Sequence, residues 1–155
     1  MALGKQRHAE RAAGGENVST GDGNTSSPQL TSFEQILQEA YQQGGFEAVV
    51  LASSEGLPIA VVPLDYQADA VAAMVALLQQ VGSQARRELG LGELDEVTVL
   101  DRTRTRLVCR HLVVGDEDLV LATAVRPGAT YRRITTAAIR RIMDAFAATQ
   151  PPAKG

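Results

Sequence analysis

The segment FEAVVLASSEGLPIAVV, residues 46–62, decides the fold. Its first half is almost continuously apolar, with Val49, Val50 and Leu51 in a row. A strand that is apolar on both faces has to be covered on both faces. Residues 46–53 are therefore predicted to form a central strand with helices packed above and below it.

The second half of this segment is predicted to be a second strand that forms a hairpin with the first. Ser54, Glu55 and Gly56 supply the turn, because glycine takes a positive φ at low steric cost. The strand at residues 57–62 contains Pro58, which has no N–H to donate to a ladder. This favours a position at the sheet edge or at a strand start, and the later elements must then cover or extend the sheet.

The composition is that of one globular domain. The chain has 155 residues, of which 45% are hydrophobic. A net charge of −3 provides no global field that would attract nucleic acid, so no nucleic-acid partner is predicted. The single cysteine, Cys109, excludes an internal disulfide. No signal peptide is visible and no apolar run is long enough to span a bilayer, so we expect a cytoplasmic protein without membrane insertion.

The domain is predicted to cover residues 32–149, with tails on both sides. Residues 1–31 are rich in Gly, Ser, Thr and Asn and cannot bury enough apolar surface to offset their ordering entropy, so they are predicted to be disordered. Residues 150–155 form a short C-terminal tail. Thr31 and Glu34 match a capping box and are predicted to open the first helix.

A long helix, residues 68–89, is predicted to carry more apolar surface than one sheet can cover. One face at helical spacing is predicted to lie on the sheet: Val71, Val75, Leu78, Gly82, Ala85 and Leu89. Met74, Leu77 and Val81 widen the apolar arc. The excess predicts contact with another molecule, and the alternative is that it reflects Ala-rich helix propensity. The polar residues cluster in the second half: Gln79, Gln80, Ser83, Arg86 and Arg87.

Three further strands are predicted at residues 93–100, 106–113 and 119–125, followed by a helix at residues 129–148. The first of the three is polar, which fits an edge strand or one that pairs with another chain. The last is apolar on both faces and should lie beside the first strand of the chain. The predicted strand order, by number in the chain, is 2-1-5-4-3.

No residue pattern predicts catalysis, a metal site or a cofactor, so we expect a protein that is not an enzyme. There is no P-loop, dinucleotide-binding or zinc-protease motif. His111 is interpreted as a strand residue with a satisfied partner and Cys109 as a packed residue. Two arginine groups are interpreted as charge balance against Glu34, Glu39 and Glu47 rather than as a phosphate-binding surface: Arg102, Arg104 and Arg106, and Arg126, Arg132, Arg133, Arg140 and Arg141.

The order of elements over about residues 33–146 resembles that of the roadblock family, named for dynein light chains. The resemblance is carried by AVVLASSEGLPIAVV at residues 48–62, by the Ala-rich helix at residues 69–89, and by the final strand with Arg126-Pro127-Gly128-Ala129 after it. It implies a profilin-like α/β (α+β) fold: a five-stranded antiparallel sheet with one long helix on one face and two on the other. The turn at residues 101–105 departs from the family, in which many members have a glycine there.

The resemblance also implies a function. Roadblock proteins dimerise by pairing the third strand and packing the long helix against its mate. The corresponding dimer residues here are Ala70, Ala73, Met74, Leu77, Val81, Glu96, Val97, Thr98 and Val99. Bacterial and archaeal relatives commonly work with Ras-like small GTPases, and some stimulate GTP hydrolysis without donating a catalytic arginine.

The hypothesis is a homodimeric, non-catalytic module that binds and regulates a Ras-like small GTPase. Its partner surface is predicted on the exposed part of the long helix, at Gln79, Gln80, Ser83, Arg86 and Arg87. The alternative is a scaffold in a larger signalling or motor assembly, or a ligand-sensing domain, without nucleotide-dependent binding.

Overall fold

The structure, a computed structural model, describes residues 28–152. Its elements are α1 (Pro28–Gly44), β1 (Ala48–Ser53), β2 (Pro58–Val62), α2 (Ala68–Leu89), β3 (Glu96–Leu100), β4 (Arg106–Val114), β5 (Glu117–Val125) and α3 (Arg132–Thr149). The predicted disordered tail lies outside the described residues up to position 27. The prediction that Thr31 opens the first helix is wrong, because α1 begins at Pro28. The fixed φ of proline suits a first helical position, where its missing N–H would have no partner anyway.

The five strands form one antiparallel sheet in the order β2-β1-β5-β4-β3, as predicted. The doubly apolar β1 lies inside the sheet, and β2, which begins at Pro58, lies at one edge. Gly56 adopts a φ of 98° in the turn between them. β3 forms the other edge and begins at Glu96, three residues later than predicted.

The predicted layers are confirmed: α1 and α3 cover one face of the sheet and α2 covers the other. Side chains of β1 alternate between two hydrophobic clusters. Val49 and Leu51 pack with residues of α1 and α3, whereas Val50 and Ala52 pack with residues of α2. Every residue of β1 except Ser53 is buried, as expected for a strand covered on both faces.

The long helix α2 approaches the edge strand closely at Gly82. A Cβ atom at this position would lie 2.9 Å from Leu94 Cδ1 and 3.1 Å from Val97 Cγ2. Leu89 was predicted on the sheet-facing stripe, but its side chain is 71% exposed. It lies about 10 Å of helix rise beyond Gly82, so the helix has already passed the edge of the sheet.

The β3–β4 hairpin turns without a glycine. Arg104 adopts a left-handed φ of 74° there. The carboxylate of Asp101 accepts hydrogen bonds from the Thr103 hydroxyl at 2.7 Å and the Thr105 backbone N–H at 2.9 Å. A local carboxylate therefore stabilises this turn in place of a glycine.

Candidate interaction surface

One flank of α2 carries an exposed apolar stripe. Met74, Leu77 and Val81 are 45%, 55% and 60% exposed. The helix buries Ala72, Val75 and Gly82 on the sheet. At about 100° per residue, Leu77 lies nearly opposite Val75, so the stripe is turned away from the sheet rather than lying directly beside the buried face.

The stripe continues through small residues towards the start of α2. Ala70 and Ala73 are exposed, and both belong to the predicted dimer surface. Small side chains let a second helix approach closely at such positions. The predicted helix residues of the dimer surface are therefore all accessible in the single chain.

The edge strand β3 supplies the remaining predicted dimer residues. Within residues 28–152, β3 pairs with β4 alone, so its other edge has open main-chain groups. Thr98 and Val99 are exposed, while Val97 is partly covered by α2. The side chain of Glu96 is engaged within the chain, so Glu96 would contribute to an interface chiefly through its backbone.

The opposite flank of α2 borders a groove of about 830 Å³ between its C-terminal half and the sheet. All five residues predicted to bind a partner line this groove: Gln79, Gln80, Ser83, Arg86 and Arg87. Val97 and Cys109 contribute from the sheet. The structure thus brings the predicted partner residues together and places them on a different flank from the apolar stripe.

A wall of the groove that the sequence did not predict comes from the β4–β5 hairpin. His111, Val113 and Asp118 line it. His111 Nε2 lies 3.2 Å from Asp118 Oδ1, so the interpretation of this histidine as a partnered strand residue is confirmed. β4 extends past the start of β3, which leaves Val113 half exposed on the face that α2 covers elsewhere.

The cysteine that lines the groove, Cys109, is not an activated nucleophile. Cys109 is 1% exposed, and burial raises the pKa of its thiol to about 12. The thiol is therefore protonated at neutral pH and acts as a packed apolar residue, as predicted.

Across residues 28–152, no group of three or more His, Cys, Asp or Glu side chains is arranged to hold a metal ion. None of the helices in that range is long and apolar enough to cross a membrane.

A polar cluster below the start of β3, on the sheet face away from α2, was not predicted from the sequence. Arg110 is only 8% exposed, and its NH2 group lies 3.2 Å from Asp95 Oδ1. Its NH1 group donates to the hydroxyls of Thr135 at 3.0 Å and Thr136 at 2.7 Å in α3. The alternation of β4 contained the signal, because Arg110 shares its face with the buried residues Val108 and Leu112.

The first turn of α3 completes this cluster. Arg132 pairs with both Asp95 and Glu96, and the Tyr131 hydroxyl donates to Glu96 at 2.8 Å. The hydrogen bond from Arg110, followed by that from Arg132, lowers the pKa of Asp95 against the opposing effect of desolvation. Of the predicted charge balance, Glu39 does pair with Arg141, whereas Arg132 pairs with carboxylates at the start of β3 instead.

The resemblance is confirmed by a family model: residues 32–100 match the Roadblock/LC7 domain. The match covers the elements from α1 to the end of β3, which include both components of the predicted dimer surface. No curated protein is matched by sequence.

Solved structures show the same fold at low sequence identity. MglB from Myxococcus xanthus superposes with a TM-score of 0.66 at 14% identity, covering 82% of this chain and 96% of that chain. The gliding protein MglB from Thermus thermophilus gives 0.64 at 14% identity, over 79% and 93%. A Roadblock/LC7 domain from Streptomyces avermitilis gives 0.57 at 22% identity, over 74% and 92%.

Proposed function

We propose that this chain, which carries a Roadblock/LC7 domain, is a homodimeric, non-catalytic module that binds a Ras-like small GTPase and modulates its activity. The observation that carries the proposal is the exposed apolar stripe on α2 next to the open edge of β3. Monomeric proteins seldom leave such a stripe and such an edge uncovered together. The family match over residues 32–100 supports the same two elements as the interface.

A twofold axis beside β3 would satisfy both features at once. Two β3 strands would pair antiparallel, which joins the two sheets and gives partners to the open main-chain groups. The same operation would bring the stripes around Leu77 together. Ala70 and Ala73 would let the two helices approach each other closely.

The groove beside α2 is the surface that we assign to the GTPase. It stays on the flank away from the Leu77 stripe, so dimerisation through that stripe leaves its helix wall accessible. Arg86 and Arg87 are exposed and have no ion-pair partner within residues 28–152. Exposed cations of this kind increase association rates with an acidic partner surface and add specificity.

The proposed activity is regulatory, because the groove, within residues 28–152, presents neither an ionised thiol nor a hydroxyl hydrogen-bonded to His111. Its thiol is protonated, and His111 is paired with Asp118. Any effect on GTP hydrolysis would then arise from stabilising one conformation of the bound GTPase. We expect no GTP hydrolysis by the purified chain alone.

A nucleotide-dependent binding measurement tests this function. A Ras-like GTPase from the same source is loaded with GDP or with a non-hydrolysable GTP analogue, and each form is titrated with the purified chain by calorimetry. We expect the two dissociation constants to differ by at least about tenfold, which corresponds to about 1.4 kcal/mol. Equal affinity for both forms would favour the scaffold alternative, and the absence of binding to either would contradict the proposal.

Paired charge reversals locate the binding surface. Arg86→Glu with Arg87→Glu should weaken GTPase binding by roughly tenfold or more, because both cations border the groove. Arg133→Glu with Arg140→Glu is the matched control, since both residues lie on α3, away from the groove. Equal weakening by the two pairs would show a general charge effect rather than a groove site.

A further inference from the structure

The strand that the proposed dimer depends on is weakly held by packing. β3 has five residues and a single neighbouring strand within residues 28–152. Its last three residues are exposed. On the α2 face, the contact region of Gly82 with Leu94 and Val97 holds the start of the strand. The other anchor lies on the opposite face and is polar.

That polar anchor converges on Arg110, which lies in the middle of β4. Two hydroxyls of α3, those of Thr135 and Thr136, accept hydrogen bonds from its NH1 group. Its NH2 group reaches Asp95, the residue immediately before β3. The guanidinium is therefore fixed at the α3 end and extends to the start of the edge strand.

A contribution to fold stability does not explain why an arginine is buried at position 110. Its Nε is buried and has no hydrogen-bond partner. Replacement of a buried ion pair by apolar side chains is often neutral or stabilising. Asp95 is half exposed and also pairs with Arg132, so loss of Arg110 would leave no isolated buried carboxylate. What Arg110 adds is a fixed position for Asp95, the residue immediately before β3.

We propose that Arg110 is a positioning residue for dimerisation, which holds Asp95 so that the free edge of β3 is presented in register to a second copy of this chain. Arg132 assists from the first turn of α3 by pairing with Asp95 and Glu96. Without Arg110, the start of β3 becomes mobile, and dimerisation has to restrict that motion. The proposal rests on the homodimer proposed above.

The first test compares Arg110→Met with Arg141→Met. Methionine is unbranched and adaptable and can occupy the apolar part of the arginine site. We expect Arg110→Met to raise the dimer dissociation constant, measured by sedimentation, by roughly a hundredfold, as for the loss of one hydrogen bond to a charged group in each of the two chains. Arg141 pairs with Glu39 away from β3, so its replacement should leave the constant unchanged. An unchanged constant for Arg110→Met overturns the proposal.

A second measurement separates positioning from a general structural role. Arg110→Met is combined with Leu77→Asp, a substitution expected to prevent dimerisation by placing two carboxylates in the apolar contact, so that dimerisation does not contribute to the melting temperature. We expect this temperature to stay within a few degrees or to rise. Amide hydrogen exchange over Glu96–Leu100 should accelerate roughly tenfold while that of β1 is unchanged. A large drop in melting temperature with uniform acceleration would identify Arg110 as a residue of the fold alone.

A double-mutant cycle then identifies the contact responsible. Asp95→Asn is combined with Arg110→Met, and the dimer dissociation constant is measured for each variant. If Arg110 acts through Asp95, the double variant should be little weaker than Arg110→Met alone. Additive effects would overturn this route.

Loss of the homodimer proposal and loss of the positioning role of Arg110 give different experimental results. A wild-type protein that stays monomeric at every concentration removes the dimer and the consequence of Arg110 for it. Hydrogen exchange in β3 then decides whether Arg110 positions the strand. Unchanged exchange overturns the positioning role itself.

Discussion

The two faces of the sheet are covered in different ways. The α1/α3 face is packed with large side chains, among them Phe46, Leu37, Leu51 and Ile142, which are almost fully buried. Within residues 28–152, the hydrophobic cluster on the α2 face consists of buried valine, alanine and cysteine, and α2 adds the buried Gly82. One helix therefore lies close to that face and leaves part of it bare.

The exposed apolar residues show the consequence of this difference. Most of the exposed large apolar residues lie on α2, on β3, in the loop between them or beside the groove: Met74, Leu77, Val81, Leu89, Leu91, Val99, Leu100 and Val113. Among residues 31–44 of α1 and the residues of α3, Met143 is the one exposed large apolar residue. The α1/α3 face is thus covered within one chain, whereas the α2 side leaves apolar surface exposed.

The largest loss of stability is expected from truncating a large buried side chain on the α1/α3 face of the sheet. Leu51→Ala removes a fully buried side chain from the α1/α3 face and should reduce the free energy of unfolding by about 2–5 kcal/mol. Leu89→Ala, the same chemical change at an exposed position of α2, should alter it by less than about 0.5 kcal/mol. Urea denaturation at one fixed protein concentration measures both. Similar losses at the two positions would contradict the contrast between the layers.

An intermediate loss of stability is expected from enlarging a small side chain between α2 and the sheet. Ala72 is fully buried between α2 and the sheet, so Ala72→Leu should cost about 1–3 kcal/mol through overpacking. Ala73→Leu adds the same atoms at the exposed neighbouring position and should be nearly neutral. Both variants are measured by thermal unfolding in the Leu77→Asp background. A neutral Ala72→Leu would mean that α2 can move away from the sheet.

The smallest effect at neutral pH concerns the thiol below the groove. Because burial raises the pKa of Cys109 from 9.0 to about 12, the folded protein should react only slowly with a thiol reagent at pH 8. The unfolded chain releases this proton at lower pH than the folded chain. Stability from this group is therefore complete below about pH 9 and is lost as the pH rises towards about 12.

Cys109→Ala supplies the control for this pH dependence. The variant should lose stability less steeply than wild type between about pH 9 and about pH 11 in equilibrium denaturation. Rapid labelling of native wild-type protein would instead show that the groove opens down to its sheet residues.

The contrast between the two faces also explains what the sequence could predict. The hairpin and the strand order were predictable, because β1 and β5 are apolar on both faces and Pro58 marks an edge. The exposed stripe was predictable from helical spacing. The exposure of Leu89 was not, because it depends on where α2 passes the edge of the sheet. The start of α1 at Pro28 was not predicted either, because the capping-box pattern at Thr31 and Glu34 indicated a later start.

The candidate site was predicted only in part, because helical spacing groups its α2 residues but does not locate its sheet residues. Gln79, Ser83 and Arg86 come together because their spacing along α2 places them on one flank. His111 and Asp118 join them only through the β4–β5 register and the crossing of α2 over the sheet. Arg110 could have been assigned to the inner face by alternation, but its partner Asp95 lies in a loop whose course no periodicity indicates.

Light scattering tests directly whether the Leu77 stripe joins two copies of this chain, as proposed above. Wild-type protein should have twice the 16.5 kDa mass of one chain. Leu77→Asp should have the mass of one chain with an unchanged circular dichroism spectrum and weaker GTPase binding, because a dimer would place two unpaired carboxylates in an apolar contact. Met143→Asp, at an exposed position of α3, should remain dimeric. A Leu77→Asp variant that remains dimeric, or a wild-type protein that is monomeric, would contradict the account.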